Sequence, residues 1–297
     1  MRIAILDVDI PVYHCAISCE DDDDFNAVKR TVDCYLREWL RVSKSTHYIG
    51  FITDSKSNFR IDRAFTWEYK GHRKSKAQPR WYPEIREYVM DKWKVQLMVG
   101  IEADDALTIA AEVLRAEGYE VVIVTEDKDL LQYPGLHYNK NKSDEVFEIT
   151  ELEGFKNLWT QVITGDRTDN IPGVSQACHE TVTGKYNQML KDNESLSSKE
   201  RTSMYRRYSH LELYGPAGAL KYLESFPIDL WPSKVWELYV DKYEDMNGDE
   251  GYGDLRFLET FDLIFMLRKE PEGLEINYDF HSPPIDKEVF ELFEDFD

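Results

Sequence analysis

In this 297-residue sequence the chemistry is carried by carboxylates that follow short apolar runs. Asp7 and Asp9 follow Ile3–Leu6, and Asp54 follows Tyr48–Ile52. Glu102, Asp104 and Asp105 follow Val95–Val99, and Asp127 and Asp129 follow Val121–Val124. A single acid after a strand is ordinarily a solvated loop residue or a helix N-cap. Here every strand end carries acid, and at all but the second it is clustered as D-x-D or E-x-D-D. Two carboxylates about 5 Å apart at an effective dielectric of about 20 repel by about 3 kcal/mol. Six or more in one crevice must therefore protonate or take up cations. An all-oxygen donor set without a dedicated His/Cys group favours Mg²⁺ or Mn²⁺ over zinc. Paired ions of this kind activate a water and stabilise both oxygens of an in-line displacement at phosphorus. The expected chemistry is phosphodiester or phosphoryl cleavage.

A basic island lies between the second and third acid groups. From Tyr69 to Pro83 there are five basic residues (Lys70, Arg73, Lys74, Lys76, Arg80) and no acidic ones. Trp67, Tyr69, Trp81 and Tyr82 interleave with them. Cations that track phosphates and rings that stack on bases suit a single-stranded nucleic acid. Standing alone, such a segment reads as a solvated charged loop.

Positioning these groups requires a sheet. The four apolar runs read as buried strands. Val28, Val32, Tyr35, Leu36, Trp39 and Leu40 recur at the spacing of one helix face, as do Ala106, Leu107, Ala110, Val113 and Leu114 before Gly118. Strand–helix alternation predicts an α/β fold with a parallel sheet and right-handed crossovers. Its ligand crevice lies beyond the carboxyl ends of the strands, where the acids should converge. After about Asp144 the pattern changes to helices and loops. Gly165–Gly173 is turn-rich and acidic, Ser195–Arg207 is polar, and Asn247–Asp254 reads as a loop.

Hydrophobic residues at 42% and aromatics at 13% are enough to fill a sizeable core, which excludes wholesale disorder. No run approaches the ~20 apolar residues of a bilayer span. Asp7 interrupts the N-terminus where a signal peptide would still be apolar. Cys15, Cys19, Cys34 and Cys178 show no CxxC spacing. The expectation is a soluble, cytoplasmic, monomeric protein with no membrane partner. The net charge of −21 argues against a polyanionic partner on average. It is unevenly spread, however: residues 241–297 hold 18 acidic against 5 basic residues.

Several motifs are specific enough to suggest a family. They are Ile5-Leu6-Asp7, Phe51-Ile52-Thr53-Asp54 ahead of Phe59-Arg60, Tyr69-Lys70-Gly71-His72-Arg73, Gly100-Ile101-Glu102-Ala103-Asp104-Asp105-Ala106, Thr125-Glu126-Asp127-Lys128-Asp129, and Gly165-Asp166-Arg167-Thr168-Asp169-Asn170-Ile171-Pro172-Gly173. Together they resemble the 5′-nuclease (flap endonuclease) family, most closely its phage members. The likeness runs from Ile3 to about Gly173 and returns more weakly near Gly215–Glu224 and Phe257–Leu267.

The resemblance implies a twisted parallel sheet flanked by helices, followed by a helical region of helix–three-turn–helix type. It implies a nuclease core over residues 1–150 with an arch-like segment at 65–83, and a DNA-binding region over 151–297. A first metal group maps to Asp7, Asp54, Glu102 and Asp104, and a second to Asp105, Asp127, Asp129, Asp166 and Asp169. Two Mg²⁺ or Mn²⁺ ions are implied. Lys70 would contact the scissile phosphate and Arg73 would stabilise charge there, with Tyr69, Lys74, Lys76 and Arg80 touching nucleic acid. Asp9 has no clear family role and is expected to accept hydrogen bonds or support the ligands from behind. The family's glycine-rich turn, which grips duplex and often holds K⁺, is missing from Val174–Glu180. A match resumes at Tyr214–Leu223, which implies an insertion over 175–213 and leaves both duplex binding and the K⁺ site open.

Three alternatives remain. Leu6-Asp7-Val8-Asp9 also fits a haloacid-dehalogenase-like phosphatase, in which the first Asp is a covalent nucleophile; Ile10-Pro11 and the E-x-D-D cluster fit it poorly. A DNA-binding relative that had lost its ions would show Asn, Ser or Lys within the acid set, and none stands there. An RNA-cutting relative on the same fold rarely carries both the basic segment and G-D-x-x-D-N-I-P-G. The expectation is a two-metal 5′→3′ exonuclease and flap endonuclease acting on DNA 5′ ends, flaps and duplex, with RNA–DNA hybrid as a further substrate, in phage replication or recombination.

Overall fold

Apolar runs alternating with amphipathic helices build the expected sheet. A computed structural model describes residues 1–73, 77–174, 215–247 and 251–284, with 191, 197, 199 and 200. In chain order the elements are β1 (Arg2–Asp7), α1 (Asp9–Ser18), α2 (Phe25–Ser43), β2 (His47–Asn58), α3 (Phe59–Arg63), α4 (Tyr82–Lys92), β3 (Gln96–Gly100), α5 (Ala103–Ala116), β4 (Glu120–Val124), β5 (Gly135–Tyr138) and β6 (Phe147–Ile149). They continue with α6 (Glu151–Thr164), the short strands β7 (Gly165–Asp166) and β8 (Ile171–Pro172), α7 (Pro216–Leu223), α8 (Trp231–Asn247) and α9 (Tyr252–Ile264). Among the described residues no helix is long and apolar enough to cross a membrane.

The chain divides into two compact units. The first comprises Met1–Asn58, Ala77–Thr150 and Met266–Asp297, and the second Phe59–Lys76 and Glu151–Phe265.

The first unit is built on a six-stranded sheet in the order β3-β2-β1-β4-β5-β6, parallel except where β6 runs against β5. Central β1 pairs Asp7 with Phe51 on β2 and Leu6 with Val124 on β4. Ala4 and Leu6 pack with Val12, Val28, Leu36 and Val89 of α1, α2 and α4. Ile3 and Ile5 turn to the opposite face, and α5 packs on β1, β2 and β4. Burial on both faces accounts for the apolar runs of β1, β2 and β4, whereas β3, expected to be buried, lies at the sheet edge with Leu97 and Val99 exposed. Such burial also leaves the strand ends as the place where polar side chains can be set.

The second unit is helical. Val162, Ile163, Leu223, Val235 and Leu263 form its core, and rings stack at Phe155–Trp231 and Trp159–Phe257. At the β7–β8 turn Gly165 has φ +68°, and a Cβ there would lie 2.2 Å from the Gly173 nitrogen. The G-D-x-x-D-N-I-P-G segment needs both glycines because its two ends touch.

Four features differ from the sequence reading. Residues 59–76 group with the second unit, where Arg60 donates from Nε to the Leu263 carbonyl (2.9 Å) and from Nη2 to that of Phe265 (3.0 Å). Residues 266–284 group with the first, held by paired backbone bonds between Tyr48 and His281 and by Leu267 N on Asp105. Strands β5 and β6 were not foreseen, because runs of four and three residues carry too little periodicity. The loop expected over 247–254 is shorter, with α8 reaching Asn247 and α9 starting at Tyr252 after Gly251. Most of the proposed insertion at 175–213, with it the duplex-gripping turn and most of Ser195–Arg207, lies outside the described residues.

His137 on β5 is wholly buried, shares a 2.7 Å hydrogen bond with the Tyr133 carbonyl and stacks on Phe147. Burial lowers its pKa to about 4 from 6.5. Above the unfolded value both states are neutral; below it, only the unfolded imidazole takes up the proton. Stability should therefore be full above pH 6.5 and fall by up to ~1.4 kcal/mol per pH unit on the way to about 4. His137→Gln should flatten this limb in urea titrations at stepped pH. An unchanged slope would show that His137 does not set it.

Candidate metal centre and cationic segment

In the first unit most of the expected acids sit just beyond or at the strand ends, with Asp54 four residues inside the end of β2. Asp7 closes β1 with 3% exposure and accepts from the Thr125 hydroxyl at 2.8 Å. Burial pushes its carboxyl well above the usual range; the neighbouring Asp9 and Asp127 charges push the same way, against the Thr125 hydrogen bond. Asp9 opens α1, accepting from Thr53 N at 3.0 Å and facing Arg86 Nη1 at 3.6 Å. Asp54 lies in β2 and accepts from Lys56 N at 3.3 Å. Glu102 and Asp105 form a capping box at the start of α5, which satisfies donors the helix leaves unpaired. Asp105, fully buried, also accepts from Leu267 N at 3.0 Å. Asp104 lies in the first turn of α5. Asp127 accepts from Asp129 N at 2.8 Å, and Asp129 from Lys128 Nζ at 2.9 Å.

These carboxylates share one end of the sheet but are not drawn into a chelate. Among the described residues, no group of three or more His, Cys, Asp or Glu side chains is gathered to hold a metal ion. Asp7 nevertheless feels the charges of both Asp9 and Asp127. The donors are all oxygen, and a buried carboxyl that resists ionisation beside two others is what a hard divalent cation would relieve. The donor chemistry fits Mg²⁺ or Mn²⁺.

Asp166 and Asp169 belong to the second unit. Asp166 is buried and accepts from Thr168 N at 2.6 Å and Asp169 N at 3.3 Å. Asp169 collects the cationic segment, accepting from Arg73 Nη2 at 2.7 Å and the Tyr69 hydroxyl at 3.0 Å, with Lys70 Nζ at 3.5 Å. Lys70 N also donates to the Asp169 carbonyl at 2.9 Å. Lys70, Arg73 and Asp169, far apart in sequence, thus meet in one cluster.

The nucleic-acid contacts need correction. Tyr69, expected to face nucleic acid, is 6% exposed in the second unit's core, because its hydroxyl is committed to Asp169. Arg80, in the first unit, pairs with Asp23 at 3.0 Å and lies over the Trp81 ring, which stacks on Phe25. The acidic run 20–24 already neutralises part of the island. Lys74 and Lys76 lie outside the described residues.

The sequence reading missed Arg86. It bonds the Thr53 carbonyl at 2.8 Å and the Tyr82 hydroxyl at 3.3 Å, and it brings a fixed positive charge to Asp9. The signal was present as Tyr82 and Arg86 at i, i+4 on α4.

With this arrangement in view, comparison with known proteins decides the family. The model of the 5′-3′ exonuclease, N-terminal resolvase-like domain, matches residues 12–167. The chain belongs to that family. The match takes in every expected site residue except Asp7 and Asp169, which flank it. DNA polymerase I of Rhizobium leguminosarum is 36% identical over 197 residues, 63% of this chain and 19% of that one. A 5′-3′ exonuclease of Buchnera aphidicola is 31% identical over 142 residues, 44% of this chain and 48% of that one. The chain thus spans about a fifth of the polymerase and about half of the exonuclease. Among solved structures, the T5 D15 protein co-crystallised with metal ions is 14% identical, with 89% of this family member and 98% of that chain covered and a TM-score of 0.46.

Asp7→Asn removes a buried carboxyl that Asp9 and Asp127 oppose, while keeping an oxygen for Thr125. In chelator at neutral pH it should raise Tm by a few degrees, read by circular dichroism. A lower Tm would mean that the acids at this sheet end do not destabilise the metal-free fold.

Proposed function

We propose that this protein is a divalent-metal-dependent 5′ nuclease that hydrolyses DNA phosphodiesters in the 5′→3′ direction, at duplex ends and at flaps. The observation that carries this reading is Asp7, a buried carboxyl at the end of the central strand whose ionisation Asp9 and Asp127 oppose. A fold seldom keeps such a group unless a cation compensates it. Asp7, Asp54, Glu102, Asp104, Asp105, Asp127 and Asp129, with Asp166 and Asp169 of the second unit, are the proposed ligands of two Mg²⁺ or Mn²⁺ ions. Such ions supply water activation and charge neutralisation at phosphorus.

The remaining work falls to the chain's own cations. Lys70 and Arg73 lie on a short segment fixed by Asp169, and they are assigned to the phosphate that gains charge during attack. Preorganised donors act there without rearranging. The nucleophile is a water, with no covalent intermediate. The Buchnera relative's name, 5′-3′ exonuclease, supports the polarity. The proposed setting is replication or recombination of phage DNA in a bacterial host's cytoplasm, with the protein acting as a monomer and RNA–DNA hybrid as a further substrate.

The test is incubation with 5′-labelled flap, blunt duplex and RNA–DNA hybrid, in Mg²⁺ and in EDTA. Flap and duplex should be cut from the 5′ side in Mg²⁺ only, and Asp127→Ala should be inert with an unchanged circular dichroism spectrum. Cleavage in EDTA, or wild-type turnover by Asp127→Ala, would overturn the reading. Lys70→Ala should lower the single-turnover rate by roughly a hundredfold, the scale of one lost transition-state donor. Its DNA affinity in Ca²⁺ should change little. Weaker binding with an unchanged saturated rate would make Lys70 an electrostatic contact only.

A further inference from the structure

Helix α9 carries Arg256 and Glu259 three residues apart, with side chains 0% and 1% exposed. A buried ion pair is a poor source of stability, because desolvation of both charges offsets their attraction. Its hydrogen bonds suggest another purpose. Glu259 Oε1 accepts from the backbone nitrogens of Phe65 and Thr66, both at 2.8 Å, and Oε2 accepts from the Thr66 hydroxyl at 2.7 Å. Arg256 Nη1 donates to Glu259 and to the Thr66 hydroxyl. Arg256 Nη2 reaches the Pro172 carbonyl at 3.1 Å and the Tyr243 hydroxyl at 3.4 Å. The Thr260 hydroxyl donates to Pro172 O at 3.4 Å, and that of Tyr243 to Gly173 O at 3.1 Å.

The pair therefore fastens two segments that are remote in sequence. One contains Thr66, four residues before Lys70; the other contains Pro172, three residues after Asp169. The same segments are tied again further along, by Lys70 N on the Asp169 carbonyl (2.9 Å) and Asn170 Nδ2 on the Glu68 carbonyl (2.9 Å). Together these bonds close a ring. Inside it, Lys70 and Asn170 hold φ of 53° and 61°. Such left-handed backbone is unfavourable for a non-glycine residue and persists where the surroundings over-determine it.

We propose that Thr66, Glu259 and Arg256 are positioning residues that act through Lys70: the buried pair sets the height and register of residues 65–66, and so the place of the Lys70 ammonium. The inference rests on the nuclease reading and adds to it a device built from residues outside the proposed ligand set. Neither Arg256 nor Glu259 is assigned to substrate or metal.

The test is a double-mutant cycle on the full-length chain, with single-turnover cleavage of a saturating 5′-flap DNA in Mg²⁺, DNA affinity in Ca²⁺ and Tm measured together. Thr66→Val should slow cleavage by roughly tenfold or more, since a misplacement of about 1 Å can cost up to about a hundredfold. Affinity should stay within about twofold, and Thr66→Ser should restore the rate. In a Lys70→Ala background Thr66→Val should slow cleavage no further, because the group it positions is gone. A wild-type rate for Thr66→Val overturns the proposal, as does an equal slowing with and without Lys70. If Thr66→Val loses its native melting transition, Glu259→Gln, which keeps an oxygen for the two backbone amides, is put through the same cycle. Absence of cleavage by wild type would instead remove the nuclease reading and this proposal with it.

Discussion

The Asp7 carboxyl is enclosed at the end of the central strand beside Asp9 and Asp127, and the first unit is arranged around the cost of keeping it there. A parallel sheet buried on both faces offers polar groups little room except at its strand ends. Acids set at those ends are brought together whether or not their charges tolerate it. The unit limits the penalty locally. Thr125 donates to Asp7, Thr53 and Arg86 hold Asp9, and Glu102 and Asp105 spend their oxygens on the α5 N-terminus and Leu267. Every one of these donors satisfies an oxygen, but Arg86 alone among them brings a full positive charge.

The second unit handles acid differently. Asp169 is met by Lys70, Arg73 and the Tyr69 hydroxyl, two formal charges and one neutral donor for a single carboxylate. Asp166 is served by backbone nitrogens of the turn it belongs to. The glycines at 165 and 173 let that turn close tightly enough to present both acids. Beneath it the Arg256–Glu259 pair converts α9 into a fixed reference for both segments.

How much of this was legible in the sequence depended on the range of the interaction involved. The strands β1 to β4 follow from apolar runs, and the acids behind them from their positions, because both signals are local. The G-x-E-A-D-D signature was likewise readable: its Glu and last Asp also cap a helix, so one stretch of chain specifies element and site together. Strands β5 and β6 were too short to register. The partition of residues 59–76 was invisible because Arg60, Phe65 and Thr66 are held by groups some 190 to 205 residues away. Tyr69 misled for a related reason: an aromatic among basic residues looks like a stacking platform until its hydroxyl is found on Asp169. Arg80 read as a nucleic-acid contact because Asp23, which meets its guanidinium, lies 57 residues earlier.

The pairing at Asp169 also sets a reciprocal constraint. A cation that takes up the charge of Asp169 must displace or share with Lys70 and Arg73, and whatever it displaces becomes available to an anion. Conversely, a phosphate that draws Lys70 or Arg73 away leaves Asp169 less neutralised and more attractive to a cation. On the proposed assignment of Asp169 to a cation and of Lys70 and Arg73 to a phosphate, the two bindings would strengthen each other by the same factor, since linkage between binding free energies is symmetric. Arg73 shows how local this competition is: its guanidinium spans Asp169 Oδ1 and the Thr168 carbonyl, so it can give up the carboxylate and keep the carbonyl. Lys70 has less freedom at its base, where its backbone nitrogen is tied to the Asp169 carbonyl. Its ammonium can turn from carboxylate to phosphate while its Cα stays in place. Fixed backbone and exchangeable side chain are what the proposed role asks of one lysine that balances an acid at rest and turns to a phosphate on binding.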